Sequence, residues 1–339
     1  MINAIEWCGD SIKFLDQSKL PSEEFFIQTD QVEVIINAIE SLKIRGAPLL
    51  GITAAYAVAL EARRLKISDF EKFVKCVDQT IEKIRATRPT AVNLSWSLNR
   101  VKSVISKCSS IKEIKEKLVE ESKKIHDEDR EMCRKIGING AEIIPESARI
   151  LTHCNTGSLA TGGSGTAQSI ITTSHEQGKK LKVYVDETRP LLQGARLTAW
   201  ELSKNGIDIT LITDSMAAFL MQQGKIDLVL VGADRITCNG DVVNKIGTYN
   251  LAVLCNFHKI PFYVAAPVST IDKTIKNGED VIIEERSPDE VRSFHGHFVT
   301  LEKIKVYNPA FDRTPHFLVS AIITDRGINY PPYDFSFLI

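Results

Sequence analysis

At 339 residues the chain is long enough for about two average domains and a substantial core. Apolar residues make up 43% and charged residues 25%, an ordinary globular composition that argues against disorder, collagen and coiled coil. The 42 basic and 43 acidic side chains nearly cancel, which excludes the chain-wide basic excess of a nucleic-acid or anionic-membrane binder.

The first ten residues, MINAIEWCGD, have no basic start and no long apolar run, so they do not read as a secretory signal. A small hairpin is expected there, followed by helices. Asp30-Gln-Val-Glu33 offers an N-cap and a returning carboxylate, and Val32, Ile35, Ile36, Ile39 and Leu42 fall on one helical face. Residues 47–60 form the longest strongly apolar uncharged stretch, but its 14 residues fall short of the roughly 20 that span a bilayer. Ser68-Asp-Phe-Glu71 repeats the capping pattern ahead of Phe73, Val77, Ile81 and Ile84. Leu94, Leu98, Val101 and Ile105 make a further stripe, and Ile111, Ile114 and Leu118 open a longer, highly charged helix.

From about residue 149 the hydrophobic period changes. Short β-rich runs appear at 150–152, 183–185, 207–212, 228–231 and 262–264, separated by helix-length segments, the first three of which end in Gly178, Gly206 and Gly224. Strand and helix alternating in this way means stacked βαβ units and a mostly parallel sheet covered on both faces. The expected fold class is therefore α/β. A mainly helical N-terminal domain over 1–145 precedes a Rossmann-like, mostly parallel α/β domain over 146–339.

Ligands of such sheets bind beyond the carboxyl ends of the strands. The residues placed there are His153-Cys154-Asn155, Asp186-Glu187-Thr188-Arg189, Thr213-Asp214-Ser215, Gly232-Ala233-Asp234-Arg235 and Ala265-Ala266-Pro267. Cys154 at a strand end and near a helix start has the setting of a lowered thiol pKa, although a single cysteine is more often a small buried hydrophobe. His153 is adjacent, but neighbouring strand side chains point to opposite faces, which argues against a Cys–His dyad. Asp234 follows the apolar run LVLVGA, where a carboxylate can act as acid or base; the plainer reading is a salt bridge with Arg235.

The loop CNTGSLATGGSGT after Cys154 is rich in Gly, Ser and Thr and could present N–H groups to an anion. Neither G-x-G-x-x-G nor the Walker pattern is present there, so NAD and ATP are disfavoured. Arg45 and Arg88 each stand at a turn fixed by glycine or proline, a setting suited to phosphate; a surface ion pair is the plainer alternative. His295-Gly-His297 lacks a third ligand at useful spacing and does not read as a metal site. Seven scattered cysteines with no C-x-x-C pair read as free thiols of a cytoplasmic protein. The residues alone thus describe a cofactor-free enzyme acting on a phosphorylated small molecule.

Taken together, the segments IRGAPLLGITAAYAVAL, RPTAVNL, THCNTGSLATGGSGTA, VYVDETRPLLQGARLTAWEL, GADRITCNGDVVNKIGTYNLA and NPAFDRTPH resemble the 5-methylthioribose-1-phosphate isomerases of methionine salvage. The resemblance runs from about residue 40 to 330, with Thr324-Asp-Arg-Gly327 departing from the Thr-Glu more usual there. It implies an aldose–ketose isomerase that is a homodimer, with no metal or other cofactor. It places the active cysteine on Cys154 and the catalytic aspartate on Asp234. Substrate contacts fall on Arg45, Gly46, Ala47, Arg88, Gln193, Asn244 and Lys245. Two alternatives go with it: an isomerase of ribose 1,5-bisphosphate or another pentose 1-phosphate, and a non-catalytic regulatory subunit of the translation-initiation guanine-nucleotide exchange factor.

Overall fold

The computed structural model describes residues 2–294, 296–333 and 335. His295, half of the His-Gly-His pattern, lies outside them; His297 is exposed. The chain divides into two compact units. One holds the residues up to Arg134 together with Gly157–Gly165, and the other holds Lys135–Thr156 and the chain from Thr166 onward.

The first unit opens with three short antiparallel strands, β1 (Ile5–Trp7), β2 (Ile12–Leu15) and β3 (Phe26–Thr29), one more than a hairpin. Helices α1 (Val32–Glu40), α2 (Ala47–Arg64), α3 (Phe70–Thr87), α4 (Val92–Ile105) and α5 (Ile111–Ala141) follow. The apolar stretch noted above is the body of α2, whose side chains are buried from Leu49 to Leu60 because α1, α3 and α4 pack around it. Of the two expected capping boxes, the first does not form: α1 starts after Gln31 with no side-chain cap. At the second, Asp69 and not Ser68 is the cap, its carboxylate accepting the N–H of Lys72.

In the second unit the elements are β4 (Ser147–Thr152), α6 (Ala167–Glu176), β5 (Lys180–Asp186), a π-helical turn at Gly194–Thr198, α7 (Ala199–Lys204), β6 (Asp208–Ile212), α8 (Met216–Gln222) and β7 (Leu228–Val231). Then come β8 (Arg235–Thr237), β9 (Val242–Lys245), α9 (Thr248–His258), β10 (Phe262–Ala265), β11 (Ile271–Asp272), α10 (Asp289–Arg292), β12 (Ser293–Phe294), β13 (His297–Phe298), β14 (Phe311–Thr314), β15 (Ala321–Thr324) and β16 (Gly327–Asn329). The main sheet has the order β16-β15-β10-β7-β4-β5-β6, parallel except for β16 at one edge.

Period-2 alternation sends Ile150, Val183, Val185, Leu228 and Leu230 to one face, against Ile136 of α5, Ile170 of α6 and Leu202 of α7. Leu151, Tyr184, Val229 and Val231 go to the other, against Ala217 and Met221 of α8 and Leu251 and Cys255 of α9. Gly137 and Gly140 let α5 lie close on α6: a Cβ at Gly140 would sit 2.2 Å from Ile170. A second sheet, β11-β8-β9-β14, has strands of two to four residues. That is too short to leave a readable period in the sequence. Among the described residues no helix is long and apolar enough to cross a membrane, and all seven cysteines are free of disulfides.

Candidate active site

Strand order reverses between β4 and β7. From β4 the chain steps outward to β5 and β6, and from β7 it steps the other way to β10 and β15. Loops leaving the carboxyl ends of two such strands diverge and open a crevice. Cys154 follows β4 and Asp234 follows β7, so the two candidate catalytic residues belong to the two strands that flank the reversal. Gly232 lets their loops approach, since a Cβ there would lie 2.7 Å from Thr156 Cγ2. Arg235 pairs with Asp272 at 3.2 Å.

Cys154 sits at φ +63°, a left-handed conformation that is costly for a residue with a Cβ and is often found at functional sites. Hydroxyls hold it there. Its N–H donates to Thr188 Oγ1 at 2.8 Å, and its carbonyl accepts from Thr198 Oγ1 at 2.6 Å. Thr198 is aimed by the π-helical turn, which begins where Gly194 presses on β5; a Cβ at Gly194 would fall 1.7 Å from the Asp186 carbonyl oxygen. Gln193, just ahead of the turn, is buried, and its Oε1 has no hydrogen-bond partner among the described residues. Such an orphaned acceptor is what a substrate hydroxyl could satisfy. Asn155 is fixed by Glu201 at 2.6 Å and by Thr198 at 3.2 Å.

The ring of His153 turns to a different set of partners. Nδ1 lies 2.9 Å from Asp186 Oδ2 and Nε2 lies 2.9 Å from the Ile246 carbonyl. A carbonyl only accepts, so Nε2 carries a proton, and one further proton is held between Nδ1 and Asp186. Burial works against charge on both partners. It lifts Asp186 to about 6 against the opposing pull of His153. For the imidazole, burial is outweighed by Asp186 and Asp214, which hold its pKa up. His153, Asp186 and Asp214 offer ligand-type atoms within 4.8 Å of one another. Both nitrogens of His153 are engaged, however, and Asp214 accepts the N–H groups of Thr188 and Arg189, so the cluster is built as a brace more than as an ion cage.

Asn244 and Lys245 end β9, and both are buried. Asn244 donates to Thr248 Oγ1 at 3.0 Å. Lys245 donates to the Ala310 carbonyl at 2.8 Å with its ammonium 4.5 Å from the Phe311 ring centroid. Asp312 accepts from the N–H groups of Gly247 and Tyr249 and so caps α9 from a distant strand. Burial raises its pKa to about 6 in spite of those bonds.

Arg45, Gly46, Ala47 and Arg88 lie in the first unit. Gly46 abuts the glycine-rich loop, with a would-be Cβ 2.5 Å from Ala160 Cα, and Leu49 N donates to the Ala160 carbonyl. Gly51 of α2 touches Asn93 of α4, so the helices that Arg45 and Arg88 precede pack near their starts. The loop narrows one expectation. Several of its N–H groups are spent internally: Gly162 on Asp129, Gly163 on the Thr161 hydroxyl, and Ala160 on the Gly157 carbonyl. Two of its four glycines answer close packing, Gly162 against the His126 ring and Gly163 against the Arg130 backbone. His126 is itself held between Tyr56 Oη and the Gly162 carbonyl.

In the sequence, Asp186 and Thr188 fall at a strand end without a role, His153 is disfavoured as a partner of Cys154, and Thr198, Glu201 and Asp312 are not among the candidates. Their shared feature is a polar group bonded to a partner far along the chain, which a local pattern does not report. Cys255 is pure packing, its thiol pushed up to about 12 by burial. Cys238 donates to the Lys273 carbonyl. Asp325, in the departing Thr-Asp segment, accepts Val268 N at 2.8 Å.

Fold and site together define a Rossmann-like α/β protein with a polar site at the reversal of strand order. Residues 43–331 match the model of the Initiation factor 2 subunit family, and the chain belongs to that family. A curated relative from Desulforamulus reducens, named methylthioribose-1-phosphate isomerase, is 49% identical over 98% of this chain and 96% of its own. The crystal structure of 5-methylthioribose 1-phosphate isomerase from Pyrococcus horikoshii superposes with TM-score 0.92 at 46% identity, covering 98% of this chain and 94% of that one. A structure described as translation initiation factor eIF-2B, subunit delta, from A. fulgidus gives TM-score 0.87 at 44% identity, covering 98% and 97%.

Proposed function

We propose that this chain converts 5-methylthioribose 1-phosphate to 5-methylthioribulose 1-phosphate, an aldose–ketose isomerisation of methionine salvage. The observation that carries the reading is near-full-length identity of about one half to curated isomerases bearing that name. The phosphate on the anomeric oxygen blocks spontaneous ring opening, so the reaction needs a group that protonates the ring oxygen as the C1–O bond breaks. One hydrogen then moves from C2 to C1, and the O2 proton leaves as the C2 carbonyl forms. A carboxyl group that gives one proton and takes one balances these steps; Asp234 has this role, and Cys154 serves the C1–C2 transfer. Arg45 and Arg88 hold the phosphate, Gly46 and Ala47 shape that turn, and Gln193, Asn244 and Lys245 contact the sugar. Solvent deuterium appearing at C1 during turnover in heavy water would mark proton transfer; complete retention of the C2 hydrogen would mark a hydride shift.

The deciding experiment is a phosphorus NMR time course of the purified protein with 5-methylthioribose 1-phosphate, and with ribose 1,5-bisphosphate in parallel. Formation of the 1-phosphoketose from the first alone supports the reading. Turnover of the bisphosphate alone moves the substrate. A folded chain inert toward both overturns the enzyme and favours the regulatory-subunit reading, which the likeness to the A. fulgidus protein keeps in view.

The same reading has the protein cytoplasmic and working as a homodimer. Support for the dimer comes from Tyr249, Val253 and Phe257, which recur every four residues on α9 and are exposed, Phe257 by 77%. Met216 and Phe219 of the neighbouring α8 are exposed as well. Apolar groups concentrated on two adjacent helices fit burial against a second copy.

A further inference from the structure

We infer that His153 is a positioning residue: it clamps the chain at Cys154 onto β9, the strand that also holds Asp234, and so sets the separation of the two catalytic candidates. The inference rests on the proposed isomerase reading and extends it to a residue with no role in the chemistry itself. Two hydrogen bonds carry it. Within β9 the carbonyl of Val243, its second residue, accepts the N–H of Asp234 at 3.0 Å. Just past the C-terminal end of the strand, the Ile246 carbonyl accepts Nε2–H of His153 at 2.9 Å. Cys154 is the next residue after His153, so both candidates are referred to one short strand that carries Asn244 and Lys245 between the two attachment points.

The clamp is rigid on all sides. His153 is 1% exposed, and Asp186 fixes the ring from Nδ1 at 2.9 Å. From the opposite side Gly247, at φ +104°, lies so close that a Cβ would come within 2.9 Å of Cε1. Ring orientation is thereby determined, and with it the direction of Nε2–H. A carboxylate that orients an imidazole by accepting from one nitrogen leaves the other nitrogen to do directed work. Here that work is mechanical. Asn244 and Lys245 are joined to Asp234 through β9 itself, so loss of the clamp lets Cys154, with the Thr188 and Thr198 hydroxyls that bind it, shift relative to β9 while the other groups keep their spacing.

The test compares glutamine and asparagine at position 153. Glutamine places its amide nitrogen where Nε2 stands and keeps the bond to Ile246; asparagine ends at the Nδ1 position, facing Asp186, and does not reach. With 5-methylthioribose 1-phosphate, His153→Asn should lose about 100-fold in kcat with KM changed less than about threefold, the signature of a misplaced reacting group. His153→Gln should recover at least about tenfold of that loss, one part of the misplacement being repaired. Gly247→Ala, with the histidine intact, displaces the ring from the other side and should reproduce the kcat loss. Circular dichroism and thermal melting establish that each variant is folded.

A purely stabilising role would depress the melting temperature of both position-153 variants alike and leave kcat of the folded fraction unchanged; that result overturns the clamp. So does a kcat for His153→Asn within about twofold of wild type, too small a change for a misplaced reacting group. An inert wild-type chain overturns the isomerase reading and the clamp with it, whereas an active wild type with indifferent variants overturns the clamp alone.

Discussion

Several single residues in this chain are tolerated only because of what lies beside them. Gly194 is the sharpest case. The π-helical turn brings its Cα so near β5 that a methyl group would overlap the Asp186 carbonyl oxygen, and no rotamer relieves a clash with backbone. Gly194→Ala should therefore cost at least about 1–3 kcal/mol in urea unfolding and lower kcat as well, because the same turn aims Thr198 at Cys154. Asp241 is a second case. Its Oδ1 accepts both N–H groups of His316, and its Oδ2 accepts from Gly278 N and Asn239 Nδ2. Burial alone would raise its pKa, but these donors hold it below the usual aspartate value. A depressed folded pKa gives stability that is present above the unfolded pKa and is lost as pH falls through the folded one. Asp241→Asn should be about 1–3 kcal/mol less stable than wild type at pH 7. The gap should close as the pH drops below about 4, read from denaturant melts across that range.

Among the elements, α9 joins three environments. Leu251, Ala252 and Cys255 face the sheet, its N-terminus is capped by Asp312 from β14, and Tyr249, Val253 and Phe257 face outward. Period 3.6 makes each of these faces readable from the sequence, but apolar groups on opposite sides of a helix leave open which side meets the sheet. Val253→Asp with Phe257→Asp should leave the fold intact and convert a two-copy species to a monomer, as measured by light scattering after size exclusion. A double variant that retains the wild-type mass would remove this face from the interface. Asp312 adds a pH effect in the other direction from Asp241. Its folded pKa of about 6 lies above the aspartate value of the unfolded chain, so its contribution to stability declines as pH rises from about 4 to 6 and is flat above. Asp312→Asn should flatten that decline.

At the scale of the whole molecule, Cys154 and Asp234 are joined by topology. If the pair acts as one unit, Cys154→Ser and Asp234→Asn will each abolish most turnover, and the double variant will be little worse than the more damaged single one. Additive losses would mean two independent roles. Much of this was legible beforehand. Strand runs at 228–231 and 262–264, glycines ending helices at 178, 206 and 224, and the helical stripes of α3 and α4 are local periodicities, written in side chains within one element. Strand ends then led to Cys154 and Asp234 without any pairing being known. An anion cradle and a tightly packed crossing have the same composition, so the packing of the glycine-rich loop against His126, Arg130 and Asp129 is visible only in the tertiary structure. By itself, then, the amino-acid sequence determined the main helices, five strands of the main sheet, the fold class and the residues at those strand ends, since these depend on patterns a few residues long. Tertiary structure alone decided the order of the strands, the short β8–β9 and β14 sheet, the bracing of His153 by Asp186 and Ile246, and the use of β9 as a common reference. Those features are hydrogen bonds between segments far apart in the chain, and no local pattern encodes which carbonyl a buried donor will find.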